Sequence, residues 1–154
     1  MDRASRTLRA ADMSGRASAF ATRTTARTRL PLDFSAASLR IVDRVVDGLR
    51  RGAGDPAGAA PVLQELGAYV GEVLVRRARA RWVDFDDTAT ELFGQPVGVR
   101  TPDGRGWNPL GKVVNRFELG PGESVHEFFL LVPRLPKGLP LSRGTAGGLR
   151  LPAA

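Results

Sequence analysis

The sequence predicts an α+β domain between two tails without regular structure, and three observations lead there. Apolar residues recur at helical spacing over residues 35–79 and 108–132, the period shortens to two between residues 81 and 107, and both ends lack an apolar period. The expected architecture is two N-terminal helices, a small three-stranded antiparallel sheet and two short C-terminal helices within residues 30–132. Residues 1–29 and 133–154 are expected to be disordered basic tails, and residues 30–132 to fold as cooperatively alone as within the full chain.

At 154 residues the chain has room for one modest core. The net charge of +7 suggests a polyanionic partner until it is divided along the chain. Residues 1–29 hold seven arginines against two aspartates, and residues 133–154 hold four basic residues and no acid. The domain between them carries twelve basic and fourteen acidic residues, a net −2, so the basic character belongs to the ends. That weakens the inference to a nucleic-acid-binding face. The absence of cysteine removes disulfides, thiolate nucleophiles and zinc ribbons and fits a reducing, cytoplasmic compartment. A single histidine removes multi-histidine metal sites, and no apolar run is long enough to span a membrane, so no membrane partner is expected.

Residues 1–29 have an Arg, Ser, Thr and Ala bias without an apolar h-region, which reads as a disordered extension or a start placed upstream of the true one. Ser35 then stands where it caps a helix whose inward stripe is Leu39, Val42, Val45, Val46 and Leu49, with Phe34 as a staple. On its outer face Asp47 and Arg51 are four apart, the spacing of a helical ion pair. Residues 52–60 read as a loop. A second helix is expected from about Pro61 to Arg79, with Leu63, Leu66, Val70, Val73 and Leu74 inward and proline in the first turn. Gly67 and Gly71 lie one turn apart, where missing side chains admit a close neighbour.

Strands follow at Arg81–Phe85, Pro96–Arg100 and Arg105–Trp107, the last two joined by the turn Thr101-Pro102-Asp103-Gly104. Asn108-Pro109 opens a third helix with Leu110, Val113, Val114 and Phe117 inward, and Ser124 to Glu127 is a capping box ahead of Val125, Phe128, Phe129 and Val132.

Gly106 to Lys112 matches G-x-x-x-x-G-K of a phosphate-binding loop. The match fails where the chemistry needs it: Val113 replaces the magnesium-binding hydroxyl, and Pro109 removes a cradling N–H. What survives is Lys112 and Arg116, one turn apart on an expected outer face near a helix start. Trp82 and Trp107 are expected as core or sheet-face residues before ligand platforms, and of the two Trp107 is the better candidate for exposure beside that pair. Lys112, Arg116 and Trp107 are the candidate contacts for an anion or a partner. Asp84, Asp86, Asp87 and Glu91 form an acidic patch without the glycine and glutamate that a calcium loop places at its sixth and twelfth positions, so strand-end turns are expected. His126-Glu127 is followed by Leu130 where a zinc-protease H-E-x-x-H needs histidine. No catalytic or metal-ligating residue and no cofactor is expected.

The stretch Leu66-Gly67-Ala68-Tyr69-Val70-Gly71-Glu72, with Ser35 to Leu39 before it, Arg81-Trp82-Val83 after it and Pro109, Lys112, Val113 and Arg116 beyond, resembles a group of small uncharacterised actinobacterial proteins. The resemblance covers about residues 32–129 and implies domain boundaries without an activity or a ligand. The functional expectation is therefore a non-enzymatic interaction or regulatory module with a protein partner, using the edge strands and the Gly67/Gly71 face and able to form a homodimer. The alternative is weak, nonspecific association with nucleic acid through the Arg-rich tails.

Overall fold

Leu63, Leu66, Tyr69, Val70, Val73 and Leu74 repeat at three- and four-residue intervals, and the helix they define is the axis on which the domain is built. The computed structural model describes residues 7–52, 56–132 and 149–150. In order, these form α1 (Ala10–Thr28), α2 (Leu39–Gly52), α3 (Pro56–Arg77), β1 (Arg81–Asp84), α4 (Asp87–Phe93), β2 (Val97–Arg100), β3 (Arg105–Trp107), α5 (Pro109–Leu119), a 3₁₀ turn (Pro121–Glu123), α6 (Val125–Leu131) and β4 (Leu149–Arg150). The expected α+β class holds, with β1, β2 and β3 in one antiparallel sheet.

Four expectations are corrected. Ala10–Thr28 is a 19-residue helix with Met13, Ala17, Phe20 and Ala21 buried, so most of the segment read as an N-terminal tail is part of the fold. Those residues lie on one helical face, and two of the four are alanines whose contribution depends on a close neighbour. The loop expected over residues 52–60 is shorter, because α3 starts at Pro56 and carries Pro61 inside it, and residues 53–55 lie outside those described. The acidic patch contains α4, which Asp86 caps by accepting from the Ala89 N–H at 2.8 Å. Finally, Leu149–Arg150, expected to belong to a tail, pairs antiparallel with β3 as a fourth strand. The rest of the expected C-terminal tail and residues 1–6 lie outside the described residues.

The helices and the sheet meet on one face. Trp82 stands opposite Val99, which stands opposite Trp107, so the three share a side of the sheet. A Cβ at Gly71 would fall 2.1 Å from the Trp82 ring, and one at Gly67 would fall 2.8 Å from the Leu110 Cα. The close approach read from these glycines is therefore met within the chain, by β1 and α5, and not by a second copy. On the other side of the sheet Phe85 covers Gly98 and stacks on Phe93 of α4, with centroids 4.9 Å apart.

The entry to α2 is fastened at Phe34, whose φ of 60° is unusual for a bulky residue. Its N–H donates to the Tyr69 hydroxyl at 2.9 Å, its carbonyl accepts from Arg77 Nε at 3.0 Å, and its ring stacks on Tyr69 beneath the Arg76 guanidinium. That many partners over-determine a backbone state that local preference disfavours. Ser35, expected at the helix cap, accepts from the Ser38 N–H at 3.1 Å and shapes a turn over residues 35–38 before α2 begins. Hydrogen bonds from the Ser35 hydroxyl and N–H hold the Asp33 carboxyl below its usual range.

Tyr69 is the sole tyrosine, fully buried, with its hydroxyl 2.6 Å from that of Ser38. Burial pushes its phenol above the ordinary value of 10, outweighing the hydrogen bonds to Ser38 and Phe34. Because the folded value lies above the unfolded one, this group's contribution to stability is complete below pH 10 and is lost as the pH rises toward the folded value. Alkaline titration followed at 295 nm is expected to show less than half of the tyrosine ionised at pH 10 and then a cooperative rise together with loss of far-UV ellipticity. A reversible titration at the ordinary value with the helical signal intact would show that the hydroxyl is not enclosed.

Candidate functional site

Two of the three candidate contact residues occupy the inner side of α5. Asn108 caps this helix as expected, accepting from the Gly111 N–H at 2.8 Å, and Pro109 fills its first position. The helix packs against α3 on one flank and against α2 and α6 on another, and of its residues Glu118 and Leu119 at the C-terminal end are the exposed ones. Lys112 and Arg116, expected on an outer face, are 6% and 3% exposed. Trp107 is a core residue, 1% exposed, and not the more exposed of the two tryptophans as expected, since Trp82 is half-buried; its indole N–H donates to the Thr101 hydroxyl at 2.9 Å and its ring meets Phe128 edge to face. The expected outer-face placement of Lys112 and Arg116 is corrected: a helix packed on several sides has no outer face at these positions.

A buried cation needs an anion, and the fold supplies three. Lys112 Nζ pairs with Glu123 of the 3₁₀ turn. Arg116 Nε donates to Asp43 Oδ1 at 3.1 Å, and its Nη2 lies 2.8 Å from Asp47 Oδ1. Asp47, expected to pair with Arg51 on the surface, turns inward instead. The Asp43 carboxylate also accepts from the Ser124 hydroxyl at 2.8 Å and from the Val125 and His126 N–H groups at 2.9 and 3.3 Å. It therefore serves the start of α6, where Ser124 in turn accepts from the Glu127 N–H. Asp43, Asp47 and Glu123 were missed because their partners lie on other elements, and the one available signal was the four-residue spacing of the two aspartates.

The remaining motifs are accounted for locally. In the Gly106 to Lys112 stretch the Gly111 N–H and the Lys112 ammonium, which a phosphate would need, are held by Asn108 and Glu123. The resemblance segment is packing surface, and within it Glu72 is a buried carboxylate that accepts from the Ser14 hydroxyl at 2.7 Å, the Trp82 indole at 3.0 Å and Arg76 Nε at 3.3 Å. In the acidic patch Asp84 accepts from the Ala10 N–H at the start of α1, and Asp86 caps α4. Among the described residues no group of three or more carboxylates and histidines converges to hold a metal ion, and no helix is long and apolar enough to cross a membrane.

Among the described residues an open groove lies on each side of α3. Between α3 and α5 a groove of about 260 Å³ is walled by Leu63, Leu110, Val114 and Phe117. Ala60, Gln64, Gln95 and Glu118 form its rim. Between α1 and α3 a second groove of about 260 Å³ has Met13 and Ala68 at its base, Arg16, Ala19 and Arg23 on one side and Gln64 and Glu65 on the other. Arg23 reaches across it to Glu65 at 2.7 Å. Gln64 borders both grooves, and it is exposed.

Comparison with protein-family models, curated proteins and solved structures finds no match to this chain.

Proposed function

We propose that the domain is a non-enzymatic protein-interaction module. The observation that carries the reading is the groove between α3 and α5, whose walls are aliphatic and aromatic and whose rim offers two carboxamides and one carboxylate. Such a surface binds by excluding water from an apolar side chain and by pairing main-chain amides with carboxamides, which is recognition chemistry. The likeness to the small actinobacterial proteins is part of this proposal, and it bears on packing and not on an activity.

Site-specific photo-crosslinking tests the reading. A benzophenone side chain at Glu118, on the groove rim, is expected to yield one discrete protein adduct, and the same group at Arg44, on the exposed side of α2, none. The adducted protein, once purified, should bind the full chain, and Ala60→Trp, which fills the groove from an exposed position, should weaken that binding about tenfold or more. Equal labelling from both positions would overturn the reading.

A second reading, association with nucleic acid through the Arg-rich ends, is favoured by Arg9, Arg16 and Arg23, which recur every seven residues along α1 and its cap. Sequence-indifferent duplex binding that falls steeply between about 50 and 200 mM salt and weakens in Arg16→Ala is its signature.

A further inference from the structure

The two grooves differ in charge and share a centre. Along α3, Ala60 and Leu63 face the α5 side of Gln64, whereas Glu65 and Ala68 face the α1 side, so the exposed ridge at Gln64 separates the grooves. On the α1 side Arg16 is half-buried and forms no ion pair among the described residues; on the α5 side the same is true of exposed Glu118. The other charged residues lining the grooves, Arg23 and Glu65, pair with each other, and the buried cations of α5 are held by Glu123, Asp43 and Asp47. One open cation and one open anion therefore stand on opposite sides of the same ridge.

The geometry points to a single docking surface for an extended segment of a partner protein that crosses α3 at Gln64, setting an apolar side chain into each groove, with a carboxylate toward Arg16 and a cation toward Glu118. This deepens the interaction-module reading and rests on it. Neighbouring packed helices lie about 8–10 Å apart, so grooves on the two flanks of one helix are separated by about that distance. A segment in the extended polyproline II conformation rises about 3.1 Å per residue with three residues per turn, which puts residues i and i+3 on one face and over the two grooves. Between them Gln64 presents a carboxamide with both donor and acceptor, which suits the main chain of the segment as it passes over. Each groove, at about 260 Å³, has room for one large apolar side chain. The opposed charges fix the direction in which the segment lies.

The test uses the full chain and short random peptides displayed on phage. Selected peptides are expected to share two apolar residues three apart, with an acidic residue at one end and a basic residue at the other. The charge swap Arg16→Glu with Glu118→Lys should weaken those peptides about tenfold or more while leaving the melting temperature unchanged, and should itself select peptides of reversed polarity. Peptides whose affinity changes by less than about twofold in both the charge swap and Ala60→Trp would overturn this docking surface and leave the module reading standing. If nothing is selected and the crosslinker at Glu118 gives no adduct, both fall. A dimer in sedimentation that the charge swap dissociates would assign the grooves to a second copy, overturning the peptide segment as occupant.

Discussion

Phe20→Ala is expected to cost the domain about 3 kcal/mol of stability, because α1 is packed and its largest side chain fills a site that nothing else can reach. Phe20 is 7% exposed and meets Tyr69 edge to face with centroids 6.5 Å apart, while Met13 and Ala17 on the same stripe are fully buried. The helix is also tied down by polar contacts, Ser14 to Glu72 and Ala10 to Asp84. Urea melts of the two chains with equal slopes would give the difference directly. Were residues 1–29 a solvated tail, the same change would fall within about 0.5 kcal/mol, so the two outcomes are well separated. Removing residues 1–29 should do more than Phe20→Ala, since it exposes the α3 face around Ala68 and Tyr69 and takes from Glu72 its serine partner. A sharp, fully stable transition for residues 30–154 would contradict the packed helix.

Asp43→Ala is expected to cost about 3–5 kcal/mol, the range for removing one partner of a buried ion pair. The carboxylate holds Arg116, the Ser124 hydroxyl and two N–H groups at the start of α6, so its loss strands several donors together. Arg116 has little to fall back on: it is 3% exposed, and its Nη1 already lacks an acceptor among the described residues. Asp47 remains to it, at 2.8 Å from Nη2. Asp43→Asn keeps an acceptor and loses the charge, and should fall between the wild type and Asp43→Ala. A cycle combining Asp43→Ala with Arg116→Met should return a coupling above about 1 kcal/mol, because the arginine is less costly to lose once its partner is gone. A cost below about 1 kcal/mol for Asp43→Ala would show that the carboxylate is solvated and α6 is anchored otherwise.

Much of the fold was legible where the cause is local. The stripes of α2 and α3, the caps at Asn108 and Ser124, the turn ahead of β3 and the tight approach at Gly67 and Gly71 all follow from spacing, cap chemistry or a missing Cβ, which need no knowledge of the neighbour. In α1 the stripe is also present, at Met13, Ala17, Phe20 and Ala21, but alanine buries little by itself and counts only when another helix comes close. The same holds for α4, seven residues long, whose anchor is Phe93 on Phe85. The candidate contacts failed for a related reason. Lys112 and Arg116 carry the residue type of a solvated face, and their inward placement depends on carboxylates that only the fold brings near, Asp43 being 73 positions from Arg116.

By itself the sequence determined the α+β class, the order of the central helices and strands, the segmental distribution of charge and the failure of the phosphate-loop and zinc-protease matches, since each rests on period, composition or the identity of a single residue. The tertiary structure decided that α1 belongs to the core, that Trp107, Lys112 and Arg116 are interior, and that a groove lies on each flank of α3. Burial is set by how many elements surround a helix, and ion pairing by which charges meet across them. Both are properties of the packed assembly, which no single segment carries.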